Sequence, residues 1–407
     1  MSDVTVPSLA DFVAAARSWL DANAERRPAS TRLRWGEGSD RVAALRASSP
    51  EQEREQVEAA RAWQRRKFDA GYGAIDWPDE YDGAGLGAEY ERAFRALESG
   101  FVTPASLGLV TISVSLEAPT ILQLGTEEQK RRWIRSLRRA DELCCQLFSE
   151  PGAGSDLGSI SLRATRDGQD WVLDGQKVWT SGAQFADVGY VVCRTDQSAP
   201  RTSAFTAFLV PMHSPGIDIR PLRQMTGGEE FNEVFFTGVR VPDAARLGAV
   251  GAGWQAMMTT LGFERAHAAE GMGFSGLELI GRLVLTARRA GRARDPLTRQ
   301  RLADLYSRNR MRNWTAQRAE ASRLAGAVPG PEGSLAKLAF TRELQQAADL
   351  AGALVGPAMV ADTGAWGTYA WAAFTCGIPG LRLGGGTDEI QKNTIAERIL
   401  GLPRESR

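Results

Sequence analysis

Apolar positions in the first third of the chain recur at helical spacing. Leu9, Phe12, Val13, Ala16, Trp19 and Leu20 follow Ser8, and Asp11 lies three residues after that serine, the pattern of a capped amphipathic helix. A second, highly charged helix is expected over 51–70, carrying Trp63 and Phe68 and stopped by Gly71. The stretch WPDEYDGAGLG, 77–87, is rich in turn formers and reads as a loop. A short charged helix over 126–138 is started by Thr126.

From Cys144 to Val241 the period changes to short β-prone runs separated by turns. VGYVVCR (188–194) and FTAFLVPM (205–212) read as buried strands. In WVLDGQKVW the pair Asp174-Gly175 predicts a two-residue hairpin turn, and EVFFTGVRVP (233–242) predicts two short strands around Gly238. Beyond Pro242 helices return, over 252–290, 298–325, 334–354, near 362–374 and from Asp388 to Leu400. Strands and helices are thus segregated, which excludes a doubly wound α/β fold. The expected class is α+β and mostly α: an N-terminal helical domain (1–142), a small central β domain (143–245) and a C-terminal helical bundle (246–407).

Charge and composition narrow the function. Lys plus Arg is 49 and Asp plus Glu is 49 in 407 residues, so no basic excess favours nucleic acid as the main partner. None of the four cysteines forms a CxxC pair and there are two histidines, so no metal site and no disulfide framework is expected. The start, MSDVTVPSLADF, lacks a basic region followed by an apolar one, and the run Leu107–Leu116 is short and carries hydroxyls. A cytoplasmic protein with no membrane span is expected.

Four segments carry candidate chemistry. SEPGAGSDLGS, Ser149 to Ser159, joins small residues and hydroxyls and reads either as a surface turn or as a loop whose amides and Ser155 meet a phosphate. It is neither a dinucleotide-binding fingerprint, with Leu157 at the third glycine position, nor a P-loop. KVWTSG, Lys177 to Gly182, reads as a core tryptophan or as an aromatic and hydroxyl pair for a planar ring. FERAH, Phe263 to His267, sets Glu264 on an apolar helix, as a general base with a raised pKa or as a partner of Arg265 or His267. The run GGGTDEIQKNTIAERILGLPRE from Gly384 allows close backbone approach to a ligand, or simply starts a helix capped by Thr387.

Together with EEQKRRW, these segments resemble the acyl-CoA dehydrogenase family, in the family's order and over nearly the whole chain. The resemblance implies a small β-barrel-like middle domain and a C-terminal four-helix bundle. It also implies an FAD cofactor, an acyl-CoA substrate, an electron-transfer flavoprotein as acceptor, and a tetramer. It assigns flavin contacts to Gln146, Phe148, Ser149, Gly154, Ser155, Trp179, Thr180, Ser181, Thr387 and Glu389, and substrate contacts to Ser155, Phe263, Arg265 and Gly386. The family's reaction removes a Cα proton and passes a Cβ hydride to flavin N5, giving a trans-2-enoyl-CoA.

Most members carry the catalytic Glu just before the final Gly-Thr, where this chain has Gly385. The branch resembling isovaleryl- and long-chain enzymes carries it in a Glu-Arg pair on a bundle helix, and Glu264-Arg265 stands there. Glu264 is therefore the expected base, with the Gly385 N–H on the thioester oxygen. Two family patterns are absent. ARRAGRARDPLTRQ replaces Arg-x-x-Phe-Gly, with Arg289 as stand-in, and ALVGP (353–357) replaces Gln-x-x-Gly-Gly. A partner of different sequence, in an α2β2 assembly, would complete the adenine half of the flavin site, and a homotetramer is the other arrangement. A non-catalytic subunit and an acyl-CoA oxidase are the competing functions.

Overall fold

The computed structural model describes residues 6–27, 33–40, 42, 48–104, 108–269, 276–324 and 331–404, apart from the side chains of 265–269, 320, 323 and 324. Helix α1 (Leu9–Asn23) begins at Ser8, whose hydroxyl accepts the Asp11 N–H at 3.1 Å. A two-residue strand, β1 (Glu25–Arg26), follows. Helix α2 (Pro50–Asp69) opens on a reciprocal Ser49–Gln52 capping box and stops before Gly71, whose φ of +83° a side chain would resist. Then come α3 (Ala88–Glu98) and β2 (Phe101–Val102), which pairs antiparallel with β1.

Helical turn α4 (Leu109–Thr111) widens into a π-turn over Ile112–Glu117 before α5 (Ala118–Leu124). Pro119 explains the widening, because it has no N–H and its ring crowds the carbonyl four residues back. Helix α6 (Glu127–Arg139) begins with a Thr126–Gln129 capping box. The apolar faces of α1, α2 and α3 meet in one core through Phe12, Leu20, Trp63, Tyr90 and Phe94.

The sheet consists of β3 (Cys144–Leu147), β4 (Arg163–Asp167), β5 (Asp170–Ser181), β6 (Val188–Arg194), β7 (Phe205–Pro211), β8 (Ile217–Leu222), β9 (Phe231–Pro242) and β10 (Arg246–Leu247). Its order is β10-β7-β6-β4-β5-β9-β8, with β3 added parallel to β6. The two runs read as buried strands are β6 and β7.

The Asp174-Gly175 hairpin does not form. Strand β5 runs through both residues, and its register on β9 slips between Leu173 and Gly175. Asp174 is spent on the neighbouring strand, accepting the Gly238 N–H at 2.7 Å. A Cβ on Gly175 would lie 2.9 Å from Leu162, so the glycine serves close packing within a bulge. The hairpin turn falls one unit earlier, at Gly168-Gln169 between the paired Asp167 and Asp170, with Gly168 at φ +64°. Likewise β9 is one strand through Gly238, rather than two.

The C-terminal part contains α7 (Gly253–Ala269), α8 (Gly276–Arg289), α9 (Pro296–Leu324), α10 (Glu332–Val355), α11 (Ala370–Leu383) and α12 (Asp388–Arg398). The helix expected over 252–290 is therefore two helices among the described residues. The one expected near 362–374 starts only at Ala370, because Gly364 and Gly367 hold positive φ. Leu283, Leu344, Leu350, Trp371 and Phe374 lead the bundle core, which Val42 joins from the N-terminal third. Residues 33–40 lie on this bundle: Trp35 meets Trp366 edge-on at 5.0 Å, and Trp366 donates to the Gly38 carbonyl.

Contacts gather the chain into two compact units. One comprises 1–30, 49–222 and 229–260; the other comprises 31–48, 223–228 and 261–407. In the first, Ala60, Leu109 and Val110 of the helices share one core with Leu147, Leu173 and Val234 of the sheet. Among the described residues no helix is long and apolar enough to cross a membrane, and no cluster of His, Cys, Asp and Glu suits a metal ion.

Candidate active site

In the first unit two candidate segments run side by side. After β3 the chain passes through Phe148 and Ser149, and the Ser149 carbonyl accepts the Val178 N–H of β5 at 2.9 Å. This bond sets Ser149 beside Trp179, Thr180 and Ser181. Reciprocal backbone bonds between Glu150 and Ala153, 2.9 and 3.0 Å, then close a tight turn that exposes Gly152, Gly154 and Ser155. No atom lies within 4 Å of a Cβ built on Gly152 or Gly154, so this backbone is open to close approach.

Trp179 is the most unusual residue of the sheet. Its φ is +61°, a region that bulky side chains avoid at a cost of about 1–3 kcal/mol, and its ring is 61% exposed. The cause is a register slip on β9 between Lys177 and Thr180, which swings the tryptophan out of the strand. The slip is held on both sides. Lys177 is fully buried beneath the turn, and the Thr180 carbonyl accepts Asn232 Nδ2 at 3.1 Å. Phe231 meets the Trp179 ring edge-on at 6.1 Å.

Beneath the turn lies a buried ion pair. Lys177 Nζ donates to Glu150 Oε1 at 2.8 Å and to the Phe148 carbonyl at 3.0 Å. Glu150 also accepts the Ser161 N–H, the Ser161 hydroxyl and the Leu162 N–H, at 2.7, 2.6 and 2.9 Å. Burial alone would raise its carboxyl pKa, but Lys177 and these donors outweigh it and the net shift is downward. The Lys177 ammonium is pushed down by burial, against the pull of Glu150.

In the second unit, α7 carries Phe263 and Glu264, both half-buried. Helix α11 ends at Leu383, and after Gly384 come Gly385 and Gly386 with φ of +66° and +88°. Glu264 Oε1 lies 3.3 Å from the point that a Cβ on Gly385 would occupy. The expected base and the position that lacks one are thus brought together. The glycine carbonyls are held on their other side: Gln391 Nε2 donates to Gly385 O at 2.9 Å, and Lys337 Nζ to Gly386 O at 2.6 Å. Buried Asp388 accepts Thr341 Oγ1 and Arg382 Nε, at 2.9 and 2.8 Å, and so ties this loop to α10 and α11. Thr387 caps α12 by accepting the Ile390 N–H. Glu389 is exposed, 3.7 Å from Lys392.

Arg289 stands over the Trp35 ring, 5.9 Å from its centroid, and so has an intramolecular contact of its own. The Arg265 and His267 side chains lie outside the described residues. The sequence alone gave no individual role to Glu150, Lys177, Lys337 or Gln391. Lys177 carried a signal, being a cation at an inward position of an alternating apolar strand, and Glu150 was the one acid before the glycines of its turn.

Family models match all three parts of the chain: the N-terminal domain of acyl-CoA dehydrogenase over residues 40–141, the middle domain over 145–239 and the C-terminal domain over 251–400. The chain belongs to the acyl-CoA dehydrogenase family. It is 36% identical over 405 residues to the acyl-CoA dehydrogenase IpdE1 of Mycobacterium tuberculosis, covering 98% of each. Among solved structures, the Tcur3481-Tcur3483 steroid ACAD matches with a TM-score of 0.75 and 26% identity, covering 99% of this chain and all of that one. The ChsE4-ChsE5 complex from Mycobacterium tuberculosis matches at 0.73 and 25% identity, covering all of both chains.

The protein is thus an acyl-CoA dehydrogenase, an oxidoreductase acting on CH–CH bonds, in a family of FAD-dependent flavoproteins. The first unit fits that cofactor. An exposed indole on a strained bulge suits a planar ring, half-buried Ser149 and Ser181 offer hydroxyls beside it, and the open Gly152–Ser155 backbone suits a phosphate.

Proposed function

We propose that Glu264 is the base of this acyl-CoA dehydrogenase and that the Gly385 N–H receives the thioester oxygen. The observation that carries this reading is the 3.3 Å between Glu264 Oε1 and the Cβ position of Gly385. A carboxylate reaches that place from α7 instead of from residue 385. The Cα–H of a thioester is a weak acid, and its removal is eased when a donor meets the charge developing on the carbonyl oxygen. Gln391 and Lys337 occupy the Gly385 and Gly386 carbonyls, which leaves the loop's amide side for the substrate. Phe263, Arg265 and Gly386 are proposed to line the acyl thioester.

The flavin is proposed to sit against Gln146, Phe148, Ser149, Gly154, Ser155, Trp179, Thr180 and Ser181, with Thr387, Glu389 and Arg289 as further contacts. When bound, FAD accepts the hydride from Cβ. Ser149 and Ser181 offer hydroxyls to its ring, Trp179 packs on it, and the Gly154–Ser155 backbone meets its phosphates. An electron-transfer flavoprotein is the proposed acceptor.

A bulky, ring-bearing acyl group is the proposed substrate class. Gly385 adds no side-chain volume beside the base, and a solved relative, the Tcur3481-Tcur3483 steroid ACAD, is a steroid enzyme. An assembly with a second, different chain is proposed in preference to a homotetramer, because solved relatives include the Tcur3481-Tcur3483 enzyme and the ChsE4-ChsE5 complex. The family's adenine-side patterns are also absent here.

The test is Glu264→Gln, mixed anaerobically with an acyl-CoA panel that includes ring-bearing thioesters. The wild type is expected to bleach. The variant is expected to keep its flavin and bleach at least about 10²-fold more slowly, since an amide cannot take the proton. Bleaching at the wild-type rate would remove Glu264 from the role.

A further inference from the structure

We propose that Lys177 and Glu150 form a positioning pair for the flavin, locking the turn before Ser155 to the bulge that presents Trp179. The inference rests on the reading that Ser149–Ser155 and Trp179–Ser181 hold that cofactor.

Three hydrogen bonds link the two segments, two of them from Lys177. Lys177 is two residues before Trp179 and flanks the register slip directly. Its ammonium joins the Phe148 carbonyl, just before Ser149, to the Glu150 carboxylate, just after it. Val178, between Lys177 and Trp179, donates its N–H to the Ser149 carbonyl. Glu150 in turn fixes Ser161 and Leu162 through its other oxygen contacts, so the turn is anchored at both ends. The carboxylate thus reaches out of the turn, to Lys177 on β5 and to Ser161 and Leu162 just ahead of β4.

The arrangement exceeds what stability alone asks of it. Buried ion pairs are often no more stabilising than apolar residues of the same volume, because both charges lose their hydration. A methionine and a glutamine would fill the same space. They would not tie the Phe148 carbonyl and the Glu150 carboxylate to the bulge in one fixed geometry, which a ring stacked on Trp179 requires. The charged pair supplies that directionality.

The role separates from a merely structural one in a three-protein comparison. Lys177→Met leaves the Glu150 carboxylate buried without its cation and is expected to lower the melting temperature of the apoprotein. The double variant Lys177→Met with Glu150→Gln removes both charges and is expected to recover most of that loss. FAD affinity, by titration of each apoprotein, is expected to stay at least about tenfold weaker in both variants. The vibronic structure of the bound flavin's visible band should be blurred in both. A double variant that regains both melting temperature and wild-type flavin affinity would overturn the positioning role, leaving the pair a structural staple. If the wild-type apoprotein itself takes up no FAD, it is the underlying site assignment that fails. If the single variant does not fold, the double variant alone decides.

Discussion

Glu264 and Gly385 stand 121 positions apart in the chain, yet a carboxylate oxygen of one lies 3.3 Å from where a side chain on the other would begin. A carboxylate on α7 thus stands beside position 385, where the proposed base is needed. Gly385 has φ +66°, so the position is closed to ordinary side chains by backbone strain as well as by the neighbouring carboxylate.

Gly385→Ala tests this relationship. The new methyl meets Glu264 Oε1 at a distance tighter than most carbon contacts and sits on a left-handed backbone, at a cost of about 1–2 kcal/mol. Displacing the base by a fraction of an ångström is expected to lower kcat by about tenfold or more, with flavin content unchanged. Steady-state kinetics beside a flavin absorbance measurement checks both, and an unchanged kcat would mean that the carboxylate does not work where it is seen.

Trp179→Gly separates function from stability. Glycine accepts φ +61° without strain, and the ring it removes is largely exposed. The apoprotein is expected to be as stable as the wild type, or more so by about 1 kcal/mol. Flavin affinity is expected to fall about tenfold. A destabilised apoprotein with normal flavin affinity would show that the indole serves the fold instead.

Asp243 gives a pH-dependent prediction. Its carboxylate accepts Arg246 Nε and Trp171 Nε1, at 3.1 and 2.8 Å, and these bonds, Arg246 first, hold its pKa at about 2 against an ordinary 3.8. Because the folded value is depressed, the stabilisation is fully present above about pH 4 and is lost as the pH falls towards 2. After allowance for partial solvent access it amounts to about 1 kcal/mol. Asp243→Asn should melt about 1 °C lower at pH 7, with the gap narrowing by pH 3. A gap that stays constant over this range would mean that the charge contributes nothing.

Much of the architecture was legible in the chain itself. Helical spacing, with start signals at Ser8 and Thr126 and a stop at Gly71, placed α1, α2 and α6, because such signals act between near neighbours. Alternation and apolar runs placed β6 and β7 in the same way. The small-residue turn before Ser155, the WTS segment and the Glu-Arg pair could be singled out as candidates because each is a short, contiguous stretch.

What the sequence could not decide was set by partners distant in the chain. Asp174-Gly175 has the composition of a turn, but pairing with β9 and packing on Leu162 made it a bulge inside a strand. Trp179 has β propensity, and only the slip between Lys177 and Thr180 turned it outwards on a strained backbone. The Lys177–Glu150 bond joins residues 27 positions apart whose charges would ordinarily seek water, and only enclosure by the sheet makes each the other's partner. The order of elements follows from local preferences that each residue carries with it. The active geometry follows from which of those elements are brought into contact, and for Glu264 and Gly385 that is a property of the folded bundle alone.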